Sequence, residues 1–397
     1  MNVVRRRRVL LPVLSAVAAG VVLLSGWLPR DAAVDLLHQT GPVLLFVVAI
    51  TAFSELCAVC GLFDAAAGVA VRAAAGRRLL LWLWVAAIAT ACTVVLSLDT
   101  TAVLLTPVVL AMARRTGSAP LPLALTVLAL ANTASLLLPV SNLTNLLAAP
   151  SLEDGGAAYV ATMAWPAVAV LTVTLVALGL LHRRGITGRL SPGADVAPRP
   201  DDPLLLRCSA VVTAAVVAGF AAGLDVALVA SAGALVLGAL VLARRRSLVV
   251  RAADLVPWKL AVTVAGLFVV VAGAHAHGLD DLAGRVAGTG TGGGALAQLA
   301  AVATVTANAI NNLPAYLALE PVAIGDPLRT AVLLVAVNAG PLVAPWGSLA
   351  TLLWWRQVRR HGRPDEQPTW RLVVGQGLLI APLAVAAGTA TAALTLG

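Results

Sequence analysis

Long apolar runs, separated by short clusters of arginine, dominate this chain of 397 residues. The first run, residues 9–28, has a length of about 20 residues, which an α-helix needs to cross a bilayer. Four arginines at 5–8 stand directly before it, as in a secretory signal. Many similar runs follow, and no cleavage signature of small residues ends this one. We therefore predict a retained first membrane span.

The arginine clusters indicate the direction of each crossing, because cytoplasmic loops of membrane proteins accumulate Arg and Lys. The amino terminus is then cytoplasmic. The first half of the chain, residues 1–184, returns to the cytoplasm at Arg183 and Arg184. A polar linker rich in Pro and Gly, residues 185–203, separates it from the second half, residues 204–397.

Each half contains two closely joined apolar arms and then an apolar segment that a proline interrupts. The hairpins are predicted at 79–113 and 294–325, and the broken helices at 120–148 and 328–355. Loop charges place the first hairpin on the cytoplasmic side and the second on the outer side. The span at 204–222 has no counterpart, and one unpaired crossing inverts a second copy. The sequence predicts an all-α polytopic membrane protein, an inverted repeat with two re-entrant hairpins and two discontinuous transmembrane helices.

Two stretches of seventeen residues, at 131–147 and 337–353, resemble each other along their whole length without a gap. Asn132 and Asn338 hold the same place in the two copies, and a proline breaks both. A duplicated, Pro-broken apolar segment is a sequence pointer to the binding site of a transporter.

The hairpin tips and the helix breaks carry polar side chains, which must face protein or water rather than lipid. We expect these four elements to meet near the midplane and to bind a solute. The alternative is that their polar groups only hold helices together. The candidate solute-binding residues are Thr100, Thr101, Asn132, Ser135, Ser141, Asn142, Asn145, Asn308, Asn311, Asn312, Asn338, Ser348 and Thr351.

Two carboxylates are candidates for proton or ion coupling, because a charge inside a membrane is costly and usually functional. Asp99 lies at the first hairpin tip, where the alternative role is to cap the second arm through the amides of Thr101 and Ala102. Its negative charge suits a proton or cation and would repel a dicarboxylate. Glu55 lies about 21 Å along the second span at 1.5 Å per residue. It is either a second coupling group or a snorkelling interfacial carboxylate.

Composition supports a membrane protein, since 60% of the residues are hydrophobic and only 11% are charged. The net charge of +9 lies in clusters between apolar runs rather than along one face, which argues against nucleic-acid binding. The sequence contains no phosphate-binding loop, zinc-ligand spacing or catalytic triad pattern. We therefore predict a transporter without a cofactor, not an enzyme, with a non-transporting membrane scaffold as the alternative.

The chain resembles the arsenite/antimonite efflux permeases of the ion transporter superfamily over nearly its whole length. The resembling segments include LDTTAVLLTPVVLAM at 98, ANTASLLLPVSNLTNLL at 131, NAINNLP at 308 and NAGPLVAPWGSLATLLW at 338. The resemblance implies efflux of arsenite, antimonite or a similar small neutral or anionic solute by proton antiport from a cell membrane. It also implies an elevator-type movement, a homodimer and, for some members, a separate ATPase subunit.

The hairpin tips separate this chain from related sodium-coupled dicarboxylate symporters, which carry Ser-Asn-Thr at both tips. Neither tip here has that triplet. Sodium- or proton-coupled transport of dicarboxylate or citrate-like anions is the alternative function. Trivalent arsenic is thiophilic, so Cys57, Cys60 and Cys92 are candidate contacts, but small buried packing residues are the simpler interpretation.

Overall fold

In the computed structural model, the described part of the chain consists of helices joined by turns and short irregular segments, with one isolated β-bridge between Arg77 and Arg189. The described residues are 2–152, 156–191, 202–244 and 258–397. Eight helices in these ranges are long and apolar enough to cross a membrane. They confirm the predicted all-α polytopic membrane fold. Residues 192–201, the middle of the predicted linker, lie outside the described residues.

The first half of the chain forms ten helices within the described ranges. They are α1 (Asn2–Leu24), α2 (Arg30–Val59), α3 (Leu62–Ala73), α4 (Arg78–Leu96), α5 (Leu98–Thr100), α6 (Thr106–Thr116), α7 (Pro120–Thr133), α8 (Leu143–Ala148), α9 (Gly156–Leu181) and α10 (Arg183–Ile186). A π-helical segment, Thr101–Leu105, joins α5 to α6. The short 3₁₀ turns Ala134–Leu136 and Pro139–Ser141 lie in the break between α7 and α8.

The second half has a similar order of helices after one additional helix, but its hairpin has one helix, Asn312–Leu319, in the place of α5 and α6, and among its described residues it has no counterpart of α10. Its helices are α11 (Pro203–Ala221), α12 (Val226–Arg244), α13 (Trp258–His275), α14 (Leu279–Ala287), α15 (Gly293–Ile310), α16 (Asn312–Leu319), α17 (Pro327–Ala339), α18 (Leu349–His361) and α19 (Trp370–Leu396). The predicted broken helix 328–355 extends further, to His361. The amphipathic helix α14, the counterpart of α3, is an element that the sequence analysis did not predict.

Both hairpins reverse direction at a residue with the same unusual backbone. Ser97 has φ 113° and ψ 162°, and Asn311 has φ 106° and ψ 155°. This region is essentially limited to glycine, so a side chain there costs of order 1–3 kcal/mol. Each side chain offsets part of the cost by capping the next arm. Ser97 Oγ accepts a hydrogen bond from the Thr100 amide, and Asn311 Oδ1 accepts one from the Leu313 amide, both at 3.4 Å.

The broken helices form the centre of the fold. Every residue from Leu123 to Thr133 in α7 and from Leu328 to Ala339 in α17 is buried. A helix that is apolar on all sides belongs inside a protein, since no face of it prefers water. Both helices begin with a proline, Pro120 and Pro327, at the position where its missing N–H costs nothing.

Counterpart helices of the two halves pack reciprocally. Helix α1 lies against α13, and its counterpart α12 lies against α2. Helix α8 contacts α16 of the second hairpin, while α18 contacts α5 and α6 of the first hairpin. Helices α9 and α19 pack on each other. Each of these contacts in one half of the chain thus has a matching contact in the other half.

Residues at both ends of the linker form hydrogen bonds with helices. At its start, the Arg78 amide at the base of the first hairpin donates to the Gly188 carbonyl at 3.0 Å. At its end, Arg244 donates to Asp202 at 2.7 Å, and this hydrogen bond lowers the pKa of the Asp202 carboxyl group. The linker therefore connects the hairpin base to the helix pair α11 and α12.

Candidate functional site

A cavity of 540 Å³ lies where both hairpin tips and both helix breaks face α1, α2 and α13. Its volume is within the range of about 300–1,000 Å³ that is typical of small-molecule sites. Side chains from the tips and breaks supply the strongest polar groups of its lining, namely Ser97, Asp99, Asn142, Asn311 and Asn312. The structure thus brings together residues that lie more than two hundred positions apart in the sequence.

Apolar side chains of three helices form the opposite wall of the cavity. Leu14 of α1, Phe46 and Ile50 of α2, and Val264 and Leu267 of α13 are among them. None of these residues was predicted from the sequence to line a site. No sequence signal separates them from lipid-facing residues, because both are apolar side chains on the same membrane-spanning helices.

Asp99 is the one charged side chain among the described residues that line the cavity. Its Oδ1 atom is buried and has no hydrogen-bond partner. Ser97, not Asp99, caps the following arm, so the interpretation of Asp99 as the helix cap is wrong. A carboxyl group in this setting can bind a proton or a cation from the cavity.

The other coupling and thiol candidates do not line the cavity. Glu55 is half-buried on α2, one turn beyond the lining residue Thr51. Cys57 Sγ lies 3.6 Å from Thr213 Oγ1 of α11, and Cys60 and Cys92 are likewise outside the lining. Within the described ranges, no three His, Cys, Asp or Glu residues are placed to hold a metal ion.

A buried amide network behind the cavity joins the two broken helices. Asn338 Oδ1 accepts hydrogen bonds from Asn142 Nδ2, from Ser135 Oγ at 3.2 Å and from Thr144 Oγ1 at 3.4 Å. Asn338 Nδ2 donates to Asn145 Oδ1 at 2.9 Å. Because Asn142 also lines the cavity, Asn338 positions a lining side chain without facing the cavity itself. Thr144 belongs to this network, although the sequence analysis did not select it.

Asn132, the counterpart of Asn338, has a different environment. Its Nδ2 donates to the Leu128 carbonyl of its own helix at 3.1 Å. Its Oδ1 is buried without a hydrogen-bond partner. The same residue at the same place in the two copies therefore contributes to the network in one half only.

Asn308 and Asn311 attach the second hairpin to the second helix break. Asn308 Nδ2 donates to the Gly340 carbonyl at 2.8 Å, and its Oδ1 accepts from the Ala344 amide at 2.7 Å. Asn311 Nδ2 donates to the Trp346 carbonyl at 2.9 Å. The tip and the break are thereby held together by side chains that were predicted to bind solute.

The remaining candidates stabilise the hairpin arms and helix ends. Ser141 Oγ donates to the Val94 carbonyl of the first hairpin at 2.9 Å. Ser348 Oγ caps α18 by accepting from the Thr351 amide at 3.2 Å. Thr101 Oγ1 accepts from Thr93 Oγ1 at 3.0 Å, and the Thr100 hydroxyl accepts from Ser97 Oγ at 3.1 Å. None of Ser141, Ser348, Thr351, Thr100 and Thr101 lines the cavity.

Paired hairpins and discontinuous helices around a central cavity are typical of membrane transporters. The chain belongs to the CitMHS citrate transporter family, whose sequence profile matches residues 3–351. The predicted resemblance to arsenite efflux permeases is confirmed. The chain is 30% identical over 331 residues to the arsenical pump membrane protein of Escherichia coli K12, covering 77% of this chain and 76% of that protein.

A second relative agrees with this assignment, and a solved structure has the same fold. The arsenical pump membrane protein of Yersinia enterocolitica is 30% identical over 329 residues, with the same coverage of 77% and 76%. The YdaH transporter of Alcanivorax borkumensis shares the fold, with a TM-score of 0.56 at 15% identity over 98% of this chain and 96% of that chain. Since the relatives are transporters, this membrane protein is a transporter and not an enzyme.

Proposed function

We propose that this transporter exports arsenite, antimonite or a similar small neutral solute by proton antiport. The polar composition of the cavity lining is the main observation in support of this function. The lining offers the amides of Asn142, Asn311 and Asn312 and one carboxyl group, Asp99, with no Lys, Arg or His among the described lining residues. Arsenite is a neutral trihydroxide at neutral pH, so its binding requires hydrogen-bonding groups rather than paired charges. The arsenical pump relatives at 30% identity support the same solute class.

Asp99 couples the solute to the proton in this proposal. A hydroxyl group of the solute donates a hydrogen bond to the ionised carboxylate, and such charge-assisted bonds are about twice as strong as neutral ones. Protonation of Asp99 removes that stronger acceptor. Solute and proton therefore compete for one group, so the solute leaves when a proton arrives from the outer side.

We further propose that the hairpins and broken helices move as one body against α1, α2, α12 and α13. The hydrogen bonds from Asn308, Asn311 and Ser141, which attach hairpins to breaks, support a rigid moving unit. The apolar wall supports sliding, because its side chains make no directional bonds across the cavity. The proposed arrangement has a cytoplasmic amino terminus and hairpins that open to opposite faces.

Transport of citrate or another dicarboxylate is the second candidate, and the family description favours it. The lining of the cavity does not favour transport of such anions. A solute with two or three carboxylates needs cationic partners or bound cations when it leaves water, since an unpaired buried charge is costly. Asp99 would add repulsion to this cost.

Inside-out vesicles containing the full chain provide the test. With an acidic lumen, the wild-type protein should accumulate arsenite and leave citrate outside. Asp99→Asn keeps the size and hydrogen-bonding capacity of the side chain but cannot titrate, so gradient-driven accumulation should be lost. The control is Glu320→Gln in the second hairpin, where the half-buried carboxylate accepts from Tyr316 at 3.0 Å outside the cavity. This variant should transport like the wild type.

Two results would contradict the proposal. Undiminished gradient-driven export by Asp99→Asn would end the assignment of coupling to this residue and direct attention to Glu55. Accumulation of citrate without arsenite would establish the second candidate function instead.

A further inference from the structure

The cavity is much larger than arsenite requires. Arsenite has four non-hydrogen atoms and fills the space of roughly four waters, about 120 Å³ at about 30 Å³ per water. The cavity has a volume of 540 Å³. A solute held by the polar tips would leave most of this volume unfilled.

The unfilled part is the side formed by α1, α2 and α13. Its apolar side chains include Phe46, Val47, Ile50, Leu260, Val264 and Leu267. Phe46, Ile50 and Val264 are at most 4% exposed to solvent, so packing holds them in place. A wall of this kind favours an apolar group over water.

Hydroxyl groups on this wall offer no donor to a solute. Ser15 Oγ donates to the Thr263 carbonyl at 2.8 Å, and Thr263 Oγ1 donates to the Lys259 carbonyl at 2.8 Å. Thr51 Oγ1 donates to the Val47 carbonyl at 2.7 Å. Since each hydroxyl has one proton, all three donors are already engaged with backbone. The cavity is therefore polar at the tips and apolar opposite them.

We propose that the same cavity exports trivalent arsenicals that carry one apolar substituent, R–As(OH)₂, and binds them more tightly than arsenite. The proposal rests on the proposed arsenite export. The two hydroxyl groups lie at Asn142, Asn311 and Asn312, and R lies against Ile50 and Val264. The solute is neutral, which matches a lining without cationic side chains. Burial of R supplies binding free energy that inorganic arsenite lacks.

The probe is phenylarsonous acid in inside-out vesicles, with protein-free vesicles as the measure of passive permeation. The four native cysteines, none of which forms a disulfide, are replaced by alanine so that thiol capture of the probe does not contribute. The probe should be accumulated by a pH gradient. It should inhibit arsenite accumulation at a concentration at least about tenfold below the half-saturating arsenite concentration, since one methylene in an apolar pocket already gives about 10- to 200-fold.

Two substitutions on α13 distinguish an effect on solute binding at the apolar wall from a general effect on folding. Val264→Phe fills the wall, where Val264 is 3% exposed. Val262→Phe, two residues earlier on the same helix, is the control at a position that is 36% exposed. Val264→Phe should remove the advantage of the probe, measured as the ratio of its inhibitory concentration to the half-saturating arsenite concentration, and Val262→Phe, outside the lining, should leave that ratio unchanged. If Val264→Phe does not fold, Ile50→Phe fills the same wall from α2 and should have the same effect.

The outcomes distinguish this inference from the proposed function. Arsenite export without gradient-driven accumulation of phenylarsonous acid, or with only equal inhibition, overturns the inference and leaves arsenite efflux intact. An unchanged advantage in a folded, wall-filled variant also overturns it. Export of neither arsenical by the wild type overturns the proposed function and the inference with it.

Discussion

Asn338→Ala should be among the most damaging substitutions in the amide network. Removal of this side chain deprives Asn142 Nδ2 of its acceptor. Asn145 Oδ1 retains only the longer contact with Thr144 Oγ1 at 3.4 Å, while Ser135 Oγ retains the Asn132 carbonyl at 2.6 Å. Two buried groups are thus left with one missing partner each.

An unsatisfied buried polar group costs about 1–3 kcal/mol. The two groups left by Asn338→Ala would therefore lower the free energy of unfolding by about 2–6 kcal/mol. Asn142 lines the cavity, so water from the cavity can replace part of its lost bond. We therefore expect the lower part of this range, about 2–3 kcal/mol in the free energy of unfolding.

The matched control is Asn132→Ala in the other copy of the repeat. Asn132 and Asn338 are both 1% exposed, so the two substitutions remove the same side chain at the same burial. Within the described part of the chain, Asn132 Nδ2 bonds only the Leu128 carbonyl of its own helix, and the substitution also eliminates the unpartnered Oδ1. Asn132→Ala should therefore be less destabilising by at least about 1 kcal/mol, the low end for one unsatisfied group.

Unfolding of the purified protein in detergent, followed by heat or denaturant, measures both variants. A double-mutant cycle of Asn338→Ala with Asn142→Ala should give a coupling free energy of about 0.5–3 kcal/mol, as for residues in one network. Equal destabilisation by Asn338→Ala and Asn132→Ala, with no coupling to Asn142, would refute the network as a source of stability.

Two further predictions concern the hairpins. Ser97→Gly should leave the protein more stable than Ser97→Ala by about 1 kcal/mol or more in the free energy of unfolding. Glycine relieves the positive φ and replaces a capping side chain at a cost of only a few tenths of a kcal/mol. A more stable alanine variant would show that the backbone at this tip is not strained. Single cysteines at the exposed positions Arg115 and Ile324, in a cysteine-free background, should be labelled from opposite faces of the membrane. Labelling of both from one face would disprove the inverted arrangement of the hairpins.

Features that depend on the bilayer as a solvent were predictable from the sequence alone. Hydrocarbon demands a minimum length of apolar helix and internal hydrogen bonding of every backbone group. Both demands leave a pattern along the chain. The hairpin at 79–113 and the broken helix at 120–148 could therefore be located from apolar runs, prolines and polar interruptions. Helix α14 was missed because it has nine residues, too few to carry the signal of a membrane span.

Tertiary structure alone decided which polar groups face the cavity. Asn142 lines it, whereas Asn145 lies three residues further along and is fully buried in the amide network. Asn132 and Asn338 occupy equal places in the repeat, yet only Asn338 joins the network. The reason is that a membrane allows polar side chains to face either protein or a cavity, and the rotation and contacts of each helix determine which. The apolar wall around Val264 was likewise decided by the tertiary structure. An apolar side chain that faces lipid and one that faces a cavity give the same pattern in the sequence.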